Sequence, residues 1–240
     1  MSIFAPVLQQ STGHNHLAKT TNVTMNTLRV VLLIGLMLAV RTASSAERFF
    51  FEQISLNEGL SQATVKVIYR DYMGMIWAGT RDGLNRYDGQ RVRSYYHDPA
   101  EAGSLPDNDI YFIIEDSLQR LWVGTHGIVS RYDRSADRFV PQHINGVALS
   151  LRNVFRWGSK LYSTTGNSLL IHDAASDSWT ERAFKGDETN VTAAARFERL
   201  RPGVLLLASR WKGLFLCDIA TGQLTRAPFF KGVNVLDVCV

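Results

Sequence analysis

From residue 64 onward the apolar and polar positions alternate in short runs and never settle into a helical period. Thr64–Tyr69, Met75–Thr80, Leu84–Tyr87 and Arg91–His97 are four such runs, rich in β-branched and aromatic residues, and each predicts a strand. Turn signals separate them. Asp71-Tyr72-Met73-Gly74 combines an aspartate that can bond the backbone ahead of it with a glycine free to take positive φ. Arg81-Asp82-Gly83 is the next turn, and Asp88-Gly89 is a hairpin signal.

The pattern then recurs. Ile76-Trp77-Ala78-Gly79-Thr80 is matched by Leu121-Trp122-Val123-Gly124-Thr125, and Arg86-Tyr87-Asp88 by Arg131-Tyr132-Asp133, each pair 45 residues apart. Asp71 and Asp116 keep the same interval, as do Leu60 and Leu105. Two fainter copies follow. Leu161–Thr165 lies 40 residues after Leu121–Thr125, and Gly213-Leu214 and Asp218 lie 130 after Gly83-Leu84 and Asp88. By this count Leu207 takes the place of Trp77, and Cys217 that of Tyr87. Four short strands in each unit of 40–45 residues predict an all-β fold, a β-propeller of four-stranded antiparallel blades at about 60–98, 105–143, 147–182 and 191–226. Phe49–Leu56 aligns with a fourth strand and Val233–Val240 with a first strand. The expectation is therefore an incomplete propeller, about four blades with a single strand at each end, in a truncated chain; a small closed propeller with an imperfect fifth blade is the alternative.

The chain before the repeats differs in kind. Residues 1–46 hold no Asp or Glu, and Val30–Val40 is an unbroken apolar run preceded by Arg29 and followed by Ala43-Ser44-Ser45-Ala46. This order predicts a leader ending in a secretory signal peptide cut after Ala46, with Met25 as an alternative start. The run is short for a membrane span, which needs about 20 apolar residues. The remainder, 47–240, is the propeller.

The net charge of +4 and pI near 9.2 invite a nucleic-acid reading. The leader holds three of the 26 cations and none of the 22 acids, so 23 cations face 22 acids afterwards, and no nucleic-acid partner is expected. Cys217 and Cys239 permit one bridge, but two buried thiols on strands are the expectation.

The residues over 51–89 resemble the opening of the two-component regulator propeller family. They are Gly59-Leu60-Ser61, then Asp71 with Gly74, then Trp77-Ala78-Gly79-Thr80 and Gly83-Leu84-Asn85-Arg86-Tyr87-Asp88. The resemblance is close over 49–143 and faint over 147–240. It implies an extracytoplasmic, periplasmic sensor propeller of a receptor whose transmembrane and output modules, a histidine kinase or diguanylate cyclase, are not in this sequence. It also implies a small-molecule or saccharide ligand, membrane contact only through the signal segment or missing downstream parts, and a homodimer of the full-length receptor. An exported polysaccharide lyase or hydrolase and a secreted interaction scaffold are the alternatives.

The recurring residues read mainly as structure: Asp71, Gly74, Trp77, Gly79, Arg86, Tyr87 and Asp88 in the first blade, and Asp116, Trp122, Gly124, Arg131, Tyr132 and Asp133 in the second. Trp77 and Trp122 are expected to fill the space between blades, and Gly79 and Gly124 to allow close backbone approach. His97, His126, His143 and His172 show no metal spacing, and no nucleophile or phosphate-loop motif occurs. No enzyme, catalytic residue, metal or cofactor is expected. A ligand is expected on the loops of one propeller face, at Arg81, Asp82, His126, Arg210, Trp211 and Lys212.

Overall fold

The computed structural model describes residues 29–34, 53–186, 191, 194–209 and 212–227. The chain divides into two units, 1–52 and 53–240. In the first unit residues 29–34 are helical and exposed, and the rest of the leader lies outside the described residues. No helix among the described residues is long and apolar enough to cross a membrane.

The second unit is almost wholly strand. β1 (Val65–Arg70), β2 (Ile76–Thr80), β3 (Leu84–Tyr87) and β4 (Val92–Tyr95) pair in order as one antiparallel sheet. β5 (Ile110–Glu115), β6 (Leu121–Thr125), β7 (Val129–Asp133) and β8 (Arg138–Pro141) form the second. A small hairpin follows, β9 (His143–Ile144) with β10 (Val147–Ala148), which the periodicity did not predict. β11 (Phe155–Trp157), β12 (Lys160–Thr164), β13 (Ser168–Asp173) and β14 (Ser178–Ala183) make the third sheet. The fourth is β15 (Ala194–Arg201), β16 (Val204–Ser209), β17 (Gly213–Asp218) and β18 (Leu224–Arg226). Four meandering sheets in series are the blades of an incomplete β-propeller.

The core lies between consecutive sheets. Trp77, Leu84 and Tyr95 of the first sheet pack with Ile113, Leu121, Val123, Tyr132 and Phe139 of the second. Phe112 and Trp122 meet Leu161 and Leu170 of the third, and Tyr162 and Ile171 meet Leu205, Phe215 and Cys217 of the fourth. Trp77 and Trp122 are 0% and 1% exposed, each pointing at the sheet that follows. At about 25 cal/mol per Å² such large apolar surfaces dominate the stabilisation.

Two readings need correction. Leu207 does not stand at the Trp77 position. Trp77 lies opposite Arg86, and the residue opposite the equivalent Leu216 is Leu206. The turn Arg210-Trp211-Lys212 is one residue longer than Arg81-Asp82, which shifts the count along β16. Leu207 instead takes the place of Ala78, fully buried toward the preceding sheet. Nor are the described residues of Phe49–Leu56 a strand. The Ser55 hydroxyl accepts the Asn57 N–H, the Glu58 carboxylate accepts the Ser55 N–H, and this capping box closes 56–58 into a 3-10 turn. Val233–Val240 lies outside the described residues. Cys217 is a fully buried free thiol, its pKa pushed up to about 12 by burial, and Cys239 also lies outside.

Candidate functional site

The first strands of the first two sheets each carry a bulge at the same end. Val65 pairs with Thr80 and Val67 with Gly79, leaving Lys66 extra; Ile110 pairs with Thr125 and Phe112 with Gly124, leaving Tyr111 extra. A bulge bends its strand and re-aims one side chain. The glycines opposite are required by space. A Cβ on Gly79 would lie 2.5 Å from Ile110 Cγ2, and one on Gly124 would lie 2.0 Å from Phe112 Cε1.

The two re-aimed side chains meet. Lys66 Nζ sits 4.6 Å from the centre of the Tyr111 ring and is ion-paired with Asp109. The Arg152 guanidinium lies 5.4 Å from the same ring, and the His126 ring meets it edge-on at 6.1 Å. Cations over an aromatic face gain about 0.5–1 kcal/mol each where exposed. Residues 107–109 fasten this group to the neighbouring turns. The Asn108 carbonyl accepts the Gly83 N–H at 2.8 Å, Asn108 Nδ2 donates to Asp82 Oδ1 at 3.0 Å, and the Asp109 carbonyl accepts the His126 N–H at 3.0 Å. One rim thus gathers an aromatic ring, three basic groups and two carboxylates from three successive sheets and their leading segments.

Of the loop residues singled out from sequence, Asp82 and His126 are brought to this rim by the 107–109 segment. Arg81 is exposed beside Asp82, its N–H donating to Gln62 Oε1. Lys212 is on the corresponding turn of the fourth sheet, where its carbonyl accepts from Arg226. Arg210 and Trp211 lie outside the described residues. Lys66, Asp109, Tyr111 and Arg152 escaped the motif reading, although Lys66 and Tyr111 share the 45-residue interval of the repeat.

The recurring residues serve the opposite rim and the sheet interfaces. One oxygen of Asp71 accepts the Met73 and Met75 N–H groups, closing the turn that Gly74 allows at φ 86°, and the other accepts the Trp77 indole N–H at 2.8 Å. Asp116 does the same for Leu118, Arg120 and Trp122. Asp88 accepts the Gln90 and Arg91 N–H groups of its own turn, and Asp133 accepts the Ser135 hydroxyl and then the Ala136 and Ser135 N–H groups; these bonds hold both carboxyls below the usual range. Arg134 bridges Asp71 at 2.8 Å and Glu115 at 2.7 Å. Burial raises the Asp71 pKa, but hydrogen bonds from Trp77 and Arg134 outweigh it and the net direction is down; burial dominates at Glu115 and the direction is up.

Arg86 and Arg131 each reach forward to the next sheet. Arg86 donates to the Tyr132 hydroxyl at 2.8 Å beside Asp137, and Arg131 donates to Asp177 at 2.7 Å. Asp137 and Asp177 hold left-handed φ of 51° and 49°. Their signal in the sequence is Asp-x-x-x-Asp, Asp133 to Asp137 and Asp173 to Asp177. Tyr87 lies on the opposite face of β3, level with Ile76.

No cluster of metal-binding side chains occurs among the described residues. The model of the two component regulator propeller family matches residues 104–127, which run from the linker through β5 and β6 to the rim. Histidine kinase P4 of Formosa agariphila is 37% identical over 68 residues, which is 28% of this chain and 5% of that protein. The fold resembles the extracellular domain of what is described as a hybrid two component system from B. thetaiotaomicron, with a TM-score of 0.60 and 20% identity over 73% of this chain and 26% of that one. It also resembles PorZ, a surface component of the type-IX secretion system of Porphyromonas gingivalis, with a TM-score of 0.50 and 11% identity over 72% and 23% of the two chains. The chain thus spans about a quarter of these structures and a twentieth of the kinase.

Proposed function

The chain carries the two-component regulator propeller repeat, and we propose on that premise that it is the extracytoplasmic ligand-sensing part of a signalling receptor, with a small polar molecule or a saccharide as its ligand. The observation that carries the reading is the pair of bulges. Lys66 and Tyr111 leave the strand ladder at equivalent places and converge with Asp109, His126 and Arg152 on one rim. Packing does not need a lysine and an arginine around a half-exposed tyrosine there. Recognition of a polar ring does, because the tyrosine offers an apolar edge and a hydroxyl while the flanking groups supply donors and acceptors. Arg81 and Asp82 extend the rim on one side.

A signal would pass from this part to an output module, a histidine kinase or a diguanylate cyclase, in a longer receptor. The 68-residue stretch that is 37% identical to a histidine kinase and the likeness of fold to the extracellular domain of a hybrid two component system support that placement. Calorimetric titration of the full chain with a panel of neutral and acidic oligosaccharides tests it. A saturable heat that disappears in Tyr111→Ala and in Lys66→Ala is expected. A ligand that binds both variants as tightly as the parent would move the site away from this rim, and an inert response to the panel would count against the saccharide class.

A further inference from the structure

The chain enters its first three sheets in the same way, and one side chain breaks the pattern. Gln62, Asp107 and Arg152 each stand just ahead of a first strand, before Val65, Ile110 and Phe155, at the 45-residue interval of the repeat. The first two close onto the backbone. Gln62 Oε1 accepts the Arg81 N–H at 3.2 Å, and Asp107 Oδ1 accepts the Asp109 N–H at 2.8 Å. A guanidinium has no acceptor, so Arg152 cannot repeat this contact. It is exposed, and it lies over the Tyr111 ring at the rim. The backbone beside it is held by other means, the Asn153 carbonyl accepting the Ser163 hydroxyl at 2.6 Å.

The acids of the rim are already engaged. Asp109 is ion-paired with Lys66, Asp82 Oδ1 accepts Asn108 Nδ2 at 3.0 Å, and Asp107 serves its own segment. Arg152 has no carboxylate or carbonyl acceptor among the described residues, and its contact with the ring does not use up its N–H donors. The charges nearly balance, Lys66, Arg81 and Arg152 against Asp82, Asp107 and Asp109, so what the rim has to offer a ligand is unspent directional donors rather than long-range attraction. A guanidinium in that state matches an oxyanion, which it can hold with two parallel bonds. Resting on the rim as the ligand site, we propose that Arg152 determines specificity there by taking an anionic group carried on the ligand's polar ring, a carboxylate or a sulfate ester, while Tyr111 meets the ring itself.

The test applies the full 240-residue chain to matched pairs of oligosaccharides. Uronate-bearing oligomers are set beside their methyl esters, and sulfated oligomers beside their desulfated forms, so the two arms tell a carboxylate from a sulfate. The charged member of a pair is expected to bind about tenfold or more tighter than its neutral partner. Arg152→Gln, which places at this exposed site the residue type found before the first sheet, should remove that preference and leave the urea midpoint unchanged. Arg152→Lys, which keeps the charge but not the fork, should fall between the two. A neutral oligomer bound as tightly as its charged partner, a charged one bound unchanged by Arg152→Gln, or silence across all pairs would overturn the proposal. Tyr111→Ala separates the two levels. If it abolishes binding that Arg152→Gln leaves intact, the rim stands as the site and only the role of Arg152 falls; if binding survives both variants, the rim falls as well.

Discussion

The indole N–H of Trp77 donates to Asp71 at 2.8 Å, so the residue that closes the β1–β2 turn also fixes the side chain that joins the first sheet to the second. The carboxylate is fully buried and serves Met73, Met75, Trp77 and Arg134 at once. Hydrogen bonds to charged groups contribute about 1.5–3 kcal/mol each and are not additive. Asp71→Ala is expected to cost about 3 kcal/mol or more by that scale, and Asp71→Asn, which keeps the acceptor for the turn, about half as much. Urea unfolding at pH 7 measures both; equal losses would mean that the charge, not the turn, matters.

Gly124 faces the Phe112 ring with no room for a methyl group. Gly124→Ala forces Phe112 off its rotamer, and overpacking of this kind costs about 1–3 kcal/mol. The substitution also presses on the bulge that aims Tyr111. A lowered urea midpoint together with weaker ligand binding is expected, and a stable variant with unaltered binding would separate the glycine from the rim.

His172 is fully buried between Trp122 and Trp179, with Nε2 3.4 Å from Asp177. Burial lowers its pKa below the ordinary value of 6.5, with Asp177 opposing. The unfolded chain therefore takes up a proton at a higher pH than the native state does. Stability attached to His172 is complete above about pH 6.5 and is lost as the pH falls through the folded value. His172→Phe should flatten this part of the profile between about pH 7 and 5, read as urea midpoints across that range. A parallel profile would place the pH dependence elsewhere.

Asp137 sits at φ 51° and accepts hydrogen bonds from Tyr95 at 2.9 Å and Tyr132 at 2.5 Å, with Arg93 also ion-paired to it. Asparagine keeps the left-handed backbone and one acceptor oxygen, whereas alanine loses both advantages. Asp137→Ala should be less stable than Asp137→Asn by about 1 kcal/mol or more. The difference in thermal midpoints decides whether backbone conformation or charge governs this corner.

How much of this could be read from the residues alone follows from what each feature depends on. The strands and their turns were legible because Asp71, Gly74 and Gly83 act on neighbours within a few positions. The place of Trp77 between blades was legible because the interval of 45 repeats it at Trp122. Its bond to Asp71 was hidden, since the turn reading already accounted for the aspartate. Tyr111 and Lys66 were hidden for another reason: an extra residue in a ladder shows only when the partner strand is in register. The Leu206 position shows the same limit, one inserted turn residue being enough to displace a count made along the chain.

The tryptophan position runs Trp77, Trp122, Tyr162, Leu206 along the series. In a linear stack, stability is a sum of unit and neighbour contributions, so this decline gives the molecule a direction. The aromatic that fills each junction changes from indole at Trp77 and Trp122 to phenol at Tyr162, and amide exchange is expected to be faster in β15–β18 than in β1–β8.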